Sequence, residues 1–102
     1  MGATTFSNMS RGETAELAFS TAVQDARYMH GHGGYTGTIA EKGSYSMASD
    51  KPLVRTKAYN LADSLLSTQY SDKWGPAGCI EIAPESETET DKLFLFFGWA
   101  SE

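Results

Sequence analysis

The sequence predicts one α+β domain spanning residues 1–102, a mostly antiparallel sheet with two helices on one face in the order β-α-β-β-α-β-β. Three observations carry this reading. Ala15, Ala18, Phe19, Ala22, Val23, Ala26 and Met29 recur at helical spacing over four turns. Ala58, Leu61, Ala62, Leu65 and Leu66 form a second, shorter stripe, and short runs of alternating or continuous apolar residues fill the intervals between them.

The first strand is read at Ala3 to Met9, around Thr4, Thr5 and Phe6, and it leads into the turn Ser10-Arg11-Gly12. Helix one follows, with Ser10 and Glu13, or Thr14 alone, as its cap and Gly31 as its left-handed end. Alanine dominates its stripe, so its axis can come close to a sheet, with Phe19 as the main anchor. Thr36 to Ala40 and Ser44 to Ala48 are read as a hairpin around Glu41-Lys42-Gly43. The second helix runs from Arg55 or Thr56 to Tyr70. Cys79-Ile80-Glu81-Ile82 alternates as a strand that stops at Pro84, beyond the dense turn Lys73 to Gly78. Leu93 to Ala100 is apolar almost throughout, which fits a central strand covered on both faces or one lying at a partner interface. A sheet with both helices on one side would leave Tyr35, Tyr45, Phe94, Phe96 and Trp99 as aromatic surface for a second copy, although each taken singly is read more simply as core.

Composition narrows the function classes. The chain has 102 residues, 40% hydrophobic and 21% charged, which is ordinary globular usage. Thirteen acidic against eight basic residues give a net charge of −5, which argues against direct binding to nucleic acid and suits solubility or a basic protein surface. Cys79 is the only cysteine, so an intrachain disulfide framework and a multi-cysteine zinc site are excluded, and a reducing, cytoplasmic setting is expected. No basic leader precedes an apolar run, and the longest apolar stretch, Leu93 to Phe97, is far too short to span a bilayer, so no membrane partner is expected.

The segment least explained by folding alone is Met29-His30-Gly31-His32-Gly33-Gly34-Tyr35-Thr36-Gly37. As a ligand site, His30, His32, Gly33, Gly34 and Tyr35 would hold an anion or a small nucleotide, with Tyr35 stacking on a ring. The segment is neither a phosphate loop nor a dinucleotide fingerprint, because it ends a helix and enters a strand. The negative pole of that helix disfavours phosphate. Two histidines do not close a zinc site, although Glu41 or Asp25 would extend one. The plainer reading is a glycine hinge, and no cofactor or resident metal is assigned. Cys79 reads as a buried small side chain, and no pair of carboxylates is brought together for acid and base work, so no catalytic residue is assigned and the sequence leans away from an enzyme.

Candidate partner contacts are the acidic run with Glu85, Glu87, Glu89 and Asp91, and the two tryptophans Trp74 and Trp99. The run is read more simply as a solvated hairpin tip, and Trp74 as a cap on the core.

At His30 to Lys42 (HGHGGYTGTIAEK), Asp72 to Gly78 (DKWGPAG) and Phe96 to Ser101 (FFGWAS), the chain resembles small proteins of bacteriophages and prophages to which no activity is assigned. That resemblance spans most of the chain. It implies a viral or mobile-element context and an accessory factor or inhibitor acting on a host protein, including a component of host defence, in the host cytoplasm. The first expectation is therefore a non-enzymatic protein that binds a host protein. The second is a small-molecule binder or sequestering protein, or a small hydrolase, using the His30–Tyr35 turn, and the third is an assembly subunit whose final strand pairs with its own copy.

Overall fold

The central strand of the sheet is the last one in the sequence. A computed structural model of the chain describes residues 2–31, 34, 36–84 and 91–102. It contains strand β1 (Ala3–Gly12), helix α1 (Ala15–His30), a 3₁₀ turn (Ile39–Glu41), β2 (Tyr45–Met47), α2 (Arg55–Leu66), β3 (Ala77–Ile82) and β4 (Lys92–Ser101). The strands lie in the order β1-β4-β3-β2. β4 runs antiparallel to both neighbours, while the short β2 runs parallel to β3. The fold class is thus α+β with a mostly antiparallel sheet, as expected.

The helices, however, lie on opposite faces of that sheet. Side chains alternate along β4, and Phe94, Phe96 and Ala100 pack with Phe6, Cys79 and the α1 residues Ala18, Ala22 and Val23. Leu93, Leu95 and Phe97 pack with Ile80, Ile82 and the α2 residues Ala58 and Ala62. A strand apolar at every position needs cover on both sides, and one helix on each side supplies it. Among the described residues the expected aromatic face is not bare: Phe94 and Phe96 are fully inside, and Tyr45 and Phe19 close the first core as an aromatic cluster with Phe96, with ring centroids 5.1 to 5.9 Å apart, while Tyr35 lies outside the described residues.

Thr14 caps α1 by accepting from the Leu17 amide at 3.2 Å, and Gly31 ends the helix at φ +88°, as the sequence predicts. Ser10 does not cap the helix. Its hydroxyl donates to the Ala18 carbonyl at 2.8 Å and ties β1 to α1. The two backbones are close here, and Gly12 permits it: a Cβ at that position would come within 2.8 Å of the Ala18 nitrogen. An alanine stripe makes that approach possible.

The expected hairpin at 36–48 is not formed. Thr38 caps a 3₁₀ turn by accepting from the Ala40 amide at 3.2 Å, and Ile39 is driven fully into the first core. Thr38 and Glu41 have the spacing of a helix start, and that signal outweighs the apparent strand Thr36 to Ala40. β2 therefore has no antiparallel partner within its own segment. It reaches β3 through α2, a parallel crossover with Tyr45 opposite Ala77 and Met47 opposite Cys79. α2 ends at Leu66, short of Tyr70, and the following turn folds back with the Tyr70 amide donating to Leu65 at 2.9 Å. No helix among the described residues is long and apolar enough to cross a membrane.

Candidate functional site

The glycine-histidine segment contributes less described geometry than its sequence promises. His30 is the last residue of α1 and is exposed, while His32, Gly33 and Tyr35 lie outside the described residues. Gly34 borders a hollow of about 90 Å³ with Arg27, Gly31, Ala40 and Glu41. Glu41 serves the local turn, since its carboxylate accepts from the Thr36 amide at 3.1 Å and the Thr36 hydroxyl at 2.7 Å. His30 also flanks a shallow groove of about 170 Å³ between β1 and the C-terminal half of α1, with Asn8, Met9, Ser10, Asp25 and Met29. Both hollows are below the few hundred cubic ångströms typical of a small-molecule site. Among the described residues no three His, Cys, Asp or Glu side chains cluster as metal ligands.

Cys79 is fully buried in β3, and burial, reinforced by Glu81, pushes its thiol up to about 12. A thiol held so far above neutral pH is not a nucleophile.

The turn between Asp72 and Gly75 is organised differently. Lys42 leaves the 3₁₀ turn and runs inward beside Gly98 and Phe6, only 4% exposed. Its ammonium donates to the Lys73 carbonyl at 3.0 Å and the Gly75 carbonyl at 2.8 Å. Burial lowers the Lys42 pKa, and the nearby Asp72 carboxylate opposes that shift. Asp72 secures the same turn from the outside. Its carboxylate accepts from the Trp74 amide at 2.9 Å, and its carbonyl from the Gly75 amide at 3.1 Å.

What this clamp presents is Trp74, which is 70% exposed and so does not cap the core. The Lys73 ammonium stands 5.1 Å from the centre of its ring and also reaches the Gly2 carbonyl at 3.4 Å. A large aromatic is thus held outward on a fixed backbone beside a cation. Trp99 has the opposite role: half-buried, it donates its indole N–H to the Leu66 carbonyl at 2.8 Å and closes the end of α2. Asp91 is exposed just before β4, and Glu85, Glu87 and Glu89 lie outside the described residues.

Sequence reasoning singled out Trp74 but missed Lys42, which makes the turn rigid. Nothing in the local pattern marks Lys42 as buried, because its acceptors lie more than thirty residues downstream. Comparison with protein-family models, characterised proteins and solved structures finds no significant match, so the residues alone carry the functional argument.

Proposed function

We propose that the protein is a non-enzymatic binding module that docks on a partner protein through Trp74 and Lys73. One observation carries the reading, a mostly exposed indole on a turn pinned from inside by Lys42 and from outside by Asp72. Free tryptophans cost apolar surface in water, and rigid ones lose little entropy when bound, which is why they anchor protein interfaces. The complementary surface is an apolar slot for the indole with a carboxylate on its rim for Lys73. Taken with the resemblance at DKWGPAG, the partner is a host protein and the module a phage-encoded accessory factor or inhibitor, working in the host cytoplasm. The acidic segment that includes Glu85, Glu87, Glu89 and Asp91 supplies a second contact where that partner is basic.

The test is capture of partners from a bacterial host lysate with the native chain and with Trp74→Ala side by side, followed by calorimetry on the purified partner. Loss of affinity of about thirtyfold, the effect of a strong interface anchor, is expected with an unchanged melting temperature. Equal affinity of the two chains for the same purified partner overturns the reading. The other reading is a small-ligand site at the shallow groove where His30, Asp25 and Asn8 stand beside Met9 and Met29. A nucleotide retained by the native chain in native mass spectrometry and lost in His30→Ala would establish that function instead.

A further inference from the structure

The long free edge of the sheet belongs to β1, and its hydrogen-bonding pattern follows from one pair of residues. Gly2 and Glu102 exchange both backbone hydrogen bonds, the Gly2 amide donating at 3.3 Å and the Glu102 amide at 3.2 Å. In an antiparallel ladder such pairs alternate with pairs whose amides and carbonyls point away. In the register that continues from Gly2, the even residues Thr4 to Gly12 face β4. The odd residues Ala3, Thr5, Ser7, Met9 and Arg11 turn their backbone groups outward, and among the described residues no strand lies on that side of β1. Among the described residues, no backbone group bonds to the outward amides and carbonyls of Thr5, Ser7 and Met9.

We propose that this edge pairs with β1 of a second copy of the chain, antiparallel and with the two-fold axis at Ser7. Three features point to a second copy. The outward residues are symmetric about Ser7, so this register sets Thr5 against Met9 and Ser7 against its own counterpart, each an outward pair able to exchange two bonds. Ala3 to Ser10 carries no charge in a chain of net charge −5, so two acidic molecules meet there without like-charge contact. Met29, 72% exposed, lies beside the edge in the groove with Met9, and gives a second copy apolar surface to cover. The opposite edge does not offer this, since β2 is three residues long. The edge that pairs is therefore the first strand and not the last, which lies at the centre of the sheet.

This inference is independent of the Trp74 reading. Light scattering and sedimentation across a concentration series should give twice the 11.1 kDa chain mass, returning to a single chain in Ser7→Glu, which sets two carboxylates opposite each other at the axis. Ser7→Cys gives the geometric readout, because a directly opposed outward pair has a Cα separation of about 5.5 Å, within disulfide reach. It should cross-link chain to chain under mild oxidation, Cys79 being buried, whereas Thr5→Cys should not cross-link to itself. A single-chain mass at every concentration overturns the proposal. So does a dimer that survives Ser7→Glu, or one that cross-links through Thr5→Cys and not through Ser7→Cys.

Discussion

The Phe97 ring occupies the space where Gly78 would carry a side chain. The two residues face each other across the β3–β4 ladder, and a Cβ on Gly78 would overlap the end of the ring. The ring is held there by Tyr70, whose centroid lies 5.1 Å away edge-on, and Tyr70 in turn shares a 2.7 Å hydrogen bond with the Ser46 hydroxyl. One glycine therefore fixes the contact between α2's turn and the sheet.

Gly78→Ala should destabilise the fold by about 1–3 kcal/mol, the cost of overpacking a filled core. Phe97→Leu in the same chain should recover part of that loss, since it vacates the ring's position. Urea denaturation of the two single variants and the double variant reads the coupling, and strict additivity would show that the overlap is relieved by other movements.

Lys42→Met removes both donors from the Lys73 and Gly75 carbonyls while keeping the apolar stem. The expected loss is about 1–3 kcal/mol, moderated because a buried charge disappears with them. The sharper readout is local, namely faster amide hydrogen exchange at Gly75 and greater mobility of the Trp74 ring, with the sheet amides unchanged.

Cys79 makes stability pH-dependent on the alkaline side. Below about pH 9, its ordinary value, the thiol is protonated in both the folded and the unfolded chain and contributes no pH dependence. Between about 9 and about 12 the unfolded thiol ionises while the folded one does not, so stability falls as pH rises. Tyr45, raised mainly by burial, adds to this fall, whereas Lys42, lowered by burial, opposes it. Comparing Cys79→Ala with the native chain isolates the thiol: the variant's stability should decline less steeply above pH 9. Thiol reagents at neutral pH should leave the folded protein unmodified and label it after denaturation.

Trp99→Phe should cost about 0.5–1.5 kcal/mol through loss of the bond to Leu66, with no effect on partner binding. Acrylamide quenching distinguishes the two indoles: the emission remaining in Trp99→Phe should be quenched readily, and that remaining in Trp74→Phe should be protected.

Both helices were legible because their signals are local. The stripe from Ala15 to Ala26, the Thr14 cap and the Gly31 end all lie within one segment, and the structure reproduces them. Met29 keeps the helical spacing yet is exposed, in the last turn of α1 beside the edge strand β1. The strand expected at Thr36 to Ala40 failed because β-branched residues resemble a strand until the cap at Thr38 is weighed with Glu41. Helix placement was harder. A stripe says that a helix has a buried side but not which face of the sheet it meets, and only the continuous apolarity of Leu93 to Phe97 hinted that both faces were taken. At the candidate site, Trp74 was visible as a residue type, but its exposure depends on Lys42, thirty residues before the turn it clamps.

The position of β4 sets when this chain can fold during synthesis. β1 and β3 each pair with β4 and not with each other, so a nascent chain that has exposed both helices and the first three strands can pair only the short β2 with β3 and has no strand to join β1 to them. Pairing of β1 waits until residues 92–101 leave the ribosome, and the β1–β4 contact then closes nearly the whole length of the chain. Until that moment the alanine and leucine stripes of α1 and α2 are uncovered. The Leu93–Phe97 segment, once released, must find its place between two waiting strands before it finds another molecule.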